Sequence, residues 1–149
     1  MDDRVAERTP PAIERVLERF RSLARDEKMQ ALVQWSRKLE PVPQRLLDLD
    51  RAEFTVPECQ TRVDLFPEVH DGRLHFYADL NAKQSPTIAA VLAILFSAIN
   101  DQPPEVAQAI PSDFVRHLMA DMGLSSREIG LNAMVGRIRR YAATQAKAA

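Results

Sequence analysis

The sequence predicts an α+β fold in which a small three-stranded antiparallel sheet is packed by several helices. Apolar residues recur at helical spacing near the start of the chain and again over its second half, as amphipathic helices require. Residues 53–79 are instead rich in β-branched and aromatic side chains, and they contain Asp71-Gly72, a pair typical of a two-residue hairpin turn. Helices and strands therefore occupy separate stretches of the chain, which indicates an α+β domain.

Two amphipathic helices open the predicted fold. Their apolar stripes run from Ile13 to Leu23 and from Met29 to Leu39, with a charged break between them. Pro41 and Pro43 are expected to end the second helix, because proline cannot continue one. A short third helix is expected over residues 46–49, before the strands begin.

The predicted hairpin turn fixes the register of the two strands on either side of it. Leu65 is expected opposite Ala78 on the face that packs on the core. Counting back by twos from Leu65 brings Cys59 to the same face, just past the turn-forming Pro57-Glu58. We therefore expect the thiol to be sheltered, yet close to a loop tip.

The second half of the chain is predicted to be helical, beginning with the most apolar helix as the centre of the core. The expected starts of these helices are Pro86, Pro103, Ser112 and Ser125. Ser125 and Glu128 have the spacing of a capping box, and Ile129 is expected to face inward. Only the tail after residue 142 is expected to fray.

Composition favours one domain over residues 1–149, since 46% of its residues are hydrophobic and 28% are charged. The 20 basic and 21 acidic residues give a net charge of -1, so we expect no nucleic-acid partner. The longest apolar stretch, Ile88 to Ile99, is too short to span a bilayer, and no membrane association is expected. The start, Met1-Asp2-Asp3-Arg4, resembles neither a signal peptide nor a transit peptide, which favours the cytoplasm.

The single cysteine, Cys59, limits the available chemistry. One thiol cannot form an internal disulfide or supply the thiolates of a zinc ribbon or an iron–sulfur cluster. Of the three histidines, His75 is expected opposite Glu68 and not beside a second ligand, so we predict no metal site. A single thiolate can still attack sulfur held on another molecule and form a persulfide. By residue type alone, however, a lone cysteine is more often a small buried hydrophobe.

The most informative segment surrounds this cysteine and reads Val56-Pro57-Glu58-Cys59-Gln60-Thr61-Arg62-Val63. It resembles the active-site loop of the SufE family, which are sulfur acceptors for cysteine desulfurases in iron–sulfur cluster assembly. The resemblance continues through the hairpin segment 71–76 and the closing segment 130–138, and covers roughly residues 29–142. The chain departs from the family pattern at three positions near Cys59, and Ala89-Ala90 stands in place of a basic-Gly pair early in the core helix. It has Glu58 where many members have glycine, Thr61 where they have serine, and Asp64 where an aromatic residue is frequent.

The resemblance implies both a fold and a function. The fold would be that of the SufE proteins and of their structural relatives, the cluster scaffolds of the IscU type. A pyridoxal-phosphate cysteine desulfurase of the SufS type would offer a persulfide, Cys59 would take its terminal sulfur, and a scaffold complex of the SufBCD type would receive it. The chain would need no cofactor of its own and would not act as a stand-alone enzyme.

Two further site residues are considered beside Cys59. The resemblance implies that Arg127 shapes the Cys59 loop or docks the partner, although a solvated arginine in the first turn of a helix would look the same. Gln60 is a candidate to fix the loop through hydrogen bonds or to contact the partner.

The residues leave two other functions open. One is a binding module that regulates a partner through its helices, with Cys59 as a silent part of the core. The other is a thiol hydrolase, because a cysteine and a histidine far apart in sequence can meet in the fold.

Overall fold

The computed structural model describes residues 9–120, 122 and 125–148. These residues form seven α-helices, one short 3-10 helix at Arg51–Glu53 and a two-stranded antiparallel sheet. The helices are α1 (Pro11–Arg21), α2 (Arg25–Ser36), α3 (Gln44–Leu47), α4 (Pro86–Ile99), α5 (Pro104–Gln108), α6 (Phe114–Leu118) and α7 (Ser125–Ala148). The strands are β1 (Asp64–His70) and β2 (Arg73–Asp79).

Helix α4 is the centre of the core, as its sequence predicts. Its side chains from Ile88 to Ile99 are buried, with Ser97 as the exception. Helix α2 packs along it, while α1, β2 and α7 contact its other sides. A helix that is apolar around its whole circumference needs such a complete enclosure. Within the described part of the chain, no helix has the length and apolar character needed to cross a membrane.

The described residues contain two paired strands, so the prediction of a third strand is wrong. The described chain before β1 joins the strand ladder only at an isolated bridge between Thr55 and Asp64, which is not extended into a strand. Directly after this bridge the backbone turns at Pro57-Glu58 and enters the loop that carries Cys59. Proline also lacks the N–H that a longer ladder would need.

The predicted hairpin and its register are confirmed. Asp71 and Gly72 both have positive φ, 52° and 77°, as a two-residue type I′ turn requires. Leu65 pairs with Ala78, and Glu68 pairs with His75.

Both faces of the hairpin are covered. One face packs on the main core through four buried side chains, those of Leu65, Leu74, Phe76 and Ala78. The opposite face carries Phe66 and Tyr77, which form a second small cluster with Leu46 of α3. The short helix α3 therefore acts as a cover for the outer face of the sheet, which would otherwise expose two aromatic rings.

The buried face of helix α7 does not include Ile129, which the sequence places on it. Its buried side chains include those of Leu131, Met134, Ile138 and Ala142, whose spacing defines a single face of the helix. Ile129 lies off this face and is 71% exposed, so the expectation that it faces inward is wrong. The helix begins at Ser125 as predicted, but the expected capping side chain of Ser125 lies outside the described residues.

A buried carboxylate ties the start of β1 to the preceding segment. Asp64 is only 1% exposed. Its side chain accepts hydrogen bonds from Thr55 Oγ1 and, at 3.3 Å, from Arg51 Nη1. Arg62 Nε lies 3.4 Å from the same carboxylate, and Arg51 also donates to Asp79 at 2.7 Å. Because a buried charge is stable only when it is paired, these partners make the Asp64 carboxylate tolerable at the base of the hairpin.

We predict that Asp64→Asn lowers the free energy of unfolding by about 1.5–3 kcal/mol, because a hydrogen-bonded charge is lost in a buried position. Asp79→Asn is the matched control, since Asp79 pairs with the same Arg51 but its side chain is 38% exposed. Its loss should stay below about 1 kcal/mol. Urea unfolding of the two variants measures both values, and equal losses would contradict the prediction.

A second polar cluster is centred on His75 of β2. Its Nε2 lies 2.7 Å from Glu40 Oε1, and its Nδ1 lies 2.9 Å from Asp101 Oδ1. Burial lowers the pKa of His75, but the hydrogen bonds to the Asp101 and Glu40 carboxylates outweigh it, so the net pKa is raised above 6.5. His75 thereby links β2 to Glu40, which precedes the sheet, and to Asp101, which follows α4.

We predict that this cluster makes stability fall as the pH rises. A raised folded-state pKa means that the His75 contribution is complete below the ordinary histidine pKa of about 6.5 and is lost as the pH passes through the raised value. His75→Gln should flatten the change in unfolding free energy between about pH 6 and about pH 9. Urea unfolding at both pH values checks this, and an unchanged slope in the variant would sink the assignment.

Candidate functional site

The loop that carries Cys59 is closed at its base. The Val56 N–H donates to the Val63 carbonyl at 2.9 Å, and both valine side chains are buried in the main core. One residue further out, the Leu65 N–H donates to the Phe54 carbonyl at 2.8 Å. Residues 57–62 therefore form a short loop whose two ends are fixed to each other and to the core.

Within the loop, the chain turns at Pro57-Glu58 as predicted. The Cys59 N–H donates to the Val56 carbonyl at 3.3 Å, which closes this turn. Cys59 lies against the main core, as counting from the strand predicts. It reaches that side through a turn and not through the pleat of a strand, since β1 begins only at Asp64.

The loop is also attached to the start of the core helix. The Ser85 hydroxyl donates to Thr61 Oγ1 at 3.0 Å, and Ser85 directly precedes α4. Thr61 is one of the positions at which the chain departs from the family pattern that it resembles. A hydroxyl is nevertheless present there, and it makes the contact that anchors this side of the loop.

The Cys59 side chain is half-buried beside a small cavity of about 70 Å³. The walls of this cavity are formed by Glu58, Cys59, Gln60, Ile88, Arg127, Ile129 and Gly130. A single water-sized group needs roughly 10–15 Å³ of such space. The cavity therefore has room for one additional atom of sulfur size next to the thiol, while the exposed Glu58 and Gln60 leave it close to solvent.

The structure brings Arg127 and Gln60 to the same cavity as Cys59. Arg127 is partly exposed near the start of α7, and no hydrogen bond or ion pair joins it to another described residue. Gln60 is exposed and likewise makes no hydrogen bond to a described residue, and the loop is instead anchored through Thr61.

Sequence reasoning missed three residues of this site, Ile88, Ile129 and Gly130. Ile88 lies in the first turn of α4, and the other two lie in α7. A glycine inside an otherwise helical pattern is a recognised sign of a packing or functional constraint, so Gly130 carried a usable signal. Nothing in the pattern of Ile88 or Ile129 indicated that they would meet the cysteine.

A larger open cleft of about 410 Å³ is lined in part by two later residues of the loop, Thr61 and Arg62. It contains the carboxylates of Asp64 and Asp79, which are already paired with Arg51. The thiol does not line this cleft. The Cys59 thiol and the larger cleft therefore have different surroundings.

The cavity beside Cys59 is lined by one thiol, the cation of Arg127, the carboxylate of Glu58, the amide of Gln60 and two isoleucine side chains. None of the described residues in its walls is a histidine. Across the described part of the chain, no group of three or more histidine, cysteine, aspartate or glutamate side chains has an arrangement that could hold a metal ion. The arrangement suits chemistry in which one sulfur atom is gained and lost.

Comparisons with known proteins also identify the SufE family. The family model SufE, described as an Fe-S metabolism associated domain, matches residues 14–142, which begins earlier than the expected start near residue 29. Two uncharacterized SufE-like proteins from two strains of Mycobacterium tuberculosis are 30% identical to the chain over 135 residues, covering 88% of this chain and 91% of each relative.

The fold agrees with this assignment. The solution structure of a hypothetical protein from Thermus thermophilus superposes with a TM-score of 0.79, covering 93% of this chain and 98% of that one. At 24% identity this likeness shows the fold alone. The family match and the curated relatives carry the assignment further: the chain belongs to the SufE family, which is associated with iron–sulfur metabolism.

Proposed function

We propose that this protein is a sulfur acceptor and carrier, which takes persulfide sulfur from a cysteine desulfurase onto Cys59 and passes it to an iron–sulfur cluster assembly complex. The observation that carries the proposal is the position of the thiol. The only cysteine of the chain lies half-buried beside a cavity large enough for one more sulfur atom, in a loop fixed at its base. Membership of a family associated with Fe–S metabolism supports it.

The proposed transfer needs no net oxidation or reduction. The Cys59 thiolate attacks the terminal sulfur of the persulfide on the donor, a new S–S bond forms at Cys59, and the donor S–S bond breaks. The donor cysteine leaves as a thiolate, which takes up a proton. The same exchange in the forward direction then delivers the sulfur to an acceptor thiol of the assembly complex. Pyridoxal phosphate belongs to the desulfurase in this scheme, and the carrier needs no cofactor of its own.

The cavity suits the intermediate state. A persulfide is lost readily to solvent thiols and oxidants, so a carrier benefits from shelter between the two transfers. The apolar side chain of Ile88 and the bare backbone of Gly130 line the space beside the Cys59 Sγ. Because the loop is held at its base, we expect its tip to swing outward when a partner docks.

The surroundings of the cavity suggest where the partner binds. Ile129 is a large apolar side chain that is mostly in solvent, and it lies at the cavity wall with Arg127. A desulfurase of the SufS type would cover this region when its own persulfide reaches Cys59, and a scaffold complex of the SufBCD type would follow. We expect the protein to act as a single domain. We also expect it to act in the cytoplasm, because a reducing compartment keeps an unpaired thiol from forming a disulfide.

A non-catalytic binding module is the second candidate. The packing of Cys59 against the main core supports it, since a partly buried cysteine is often only a small hydrophobe. A thiol hydrolase receives no comparable support, because no histidine lies among the described residues of the cavity wall.

Cys59→Ser separates the first two candidates. After incubation with a desulfurase and cysteine, mass spectrometry of the wild-type protein should show the added mass of one sulfur atom, which a reductant removes. The serine variant should remain unmodified and should no longer stimulate the desulfurase. A variant that stimulates as strongly as the wild type would establish the binding module in place of the carrier.

We predict that Arg127→Ala reduces the rate of sulfur uptake by about tenfold. A hydrogen bond to a charged group contributes about 1.5–3 kcal/mol, and partial exposure favours the lower end of this range. Arg116→Ala is the matched control, because Arg116 is an exposed arginine of α6 that does not line the cavity. Single-turnover persulfide transfer measures both rates, and equal rates for the two variants would remove Arg127 from the site.

A further inference from the structure

Gly130 of α7 lies in direct contact with Cys59. A methyl group at position 130 would stand 3.1 Å from both the Cα and the Sγ of Cys59, and 3.2 Å from its Cβ. Favourable contacts between carbon atoms occur at about 3.5–4.0 Å. A side chain at position 130 would therefore require Cys59 to move by a few tenths of an ångström from its observed place.

The backbone gives no other reason for glycine at this position. Gly130 lies inside α7 and its φ is outside the left-handed region, unlike that of Gly72 in the hairpin turn. Glycine in a helix interior is less favourable than every residue except proline, because it loses the most backbone entropy. Space for Cys59 is the constraint that the structure shows.

A side chain added at position 130 would displace the tip of the loop and not its base. The base is held by the bond between Val56 and Val63 and by two buried side chains. The tip rests on Gly130 on one side and near the buried Ile88 of α4 on the other. Displacement of Cys59 toward solvent is the movement that leaves the core intact.

We propose that Gly130 is a positioning residue, which sets the resting place of Cys59 by leaving the niche beneath the loop unfilled. A side chain at position 130 shifts the loop toward conformations in which the thiol is exposed. The functional role of Gly130 rests on the proposed function. In a sulfur carrier, Gly130 determines how far the Cys59 persulfide is sheltered and how readily the two partners reach it.

The test compares Gly130→Ala with Gly136→Ala. Both changes add a methyl group to α7 and gain the same helix propensity. At position 136 the methyl would approach only the end of the flexible Arg140 side chain, at 3.1 Å from Nη1. The second variant is therefore a control for every effect except the contact with Cys59.

The measured quantity is the rate at which iodoacetamide alkylates Cys59 in the folded protein. We expect Gly130→Ala to raise this rate by about tenfold, equal to about 1.4 kcal/mol in favour of the open loop. Gly136→Ala should react at the wild-type rate. A Gly130→Ala variant that is folded and reacts no faster than the wild type would overturn the proposal.

Hydrogen exchange separates loop opening from general loss of stability. In Gly130→Ala, residues 57–62 should lose protection while β1, β2 and α4 retain it, and a loss spread over the whole protein would contradict the proposal. If the variant does not fold, Gly130→Ala is combined with Cys59→Gly, which removes two of the three contacting atoms. The fold should then return, and continued misfolding would also overturn the assignment.

Alkylation requires no desulfurase, so its outcome is independent of whether the chain accepts sulfur. If Cys59 does accept sulfur, the persulfide on Gly130→Ala should be lost to dithiothreitol faster than that on Gly136→Ala. Faster alkylation without any sulfur uptake in the wild type would leave Gly130 as the positioning residue and would count against the proposed function alone.

Discussion

The Cys59 loop depends on one constraint: its base is fixed in the core while its tip fits against a helix that has no side chain at the point of contact. Val56 and Val63 hold the base through a backbone hydrogen bond and burial of both side chains. At the tip, Cys59 packs against the bare backbone of Gly130, where an added methyl group would lie 3.1 Å from its Cα and Sγ.

This arrangement combines order and movement in one short segment. A loop that was held at every residue would keep the thiol out of reach, and a loop without a fixed base would expose it permanently. Hydrogen bonds to buried groups hold Thr61 and the base, whereas the tip is retained mainly by packing. Packing contacts on a surface loop are among the weaker parts of a fold, so the tip is the part that can open locally.

The departures from the family pattern have structural consequences at the base of the hairpin. Asp64 occupies a buried position at which an aromatic residue is frequent in the family that the sequence resembles. Its charge is balanced by Arg51 and Arg62, and Thr55 donates a hydrogen bond to it. Arg62 belongs to the part of the loop that leads away from Cys59, and these contacts therefore also anchor the loop on this side.

The sequence alone determined the features that depend on neighbouring residues. Asp71-Gly72 fixed the hairpin and its register because a type I′ turn permits only one pairing of the flanking strands. The apolar run of α4 identified the core helix, and the motif around Cys59 indicated the family. The tertiary structure decided the contacts between distant segments, such as Gly130 against Cys59, the partners of Asp64 and the outward orientation of Ile129. It also set the number of paired strands among the described residues at two. Periodicity reports which residues can share a face, but the packing of separate elements determines which face is covered and by what.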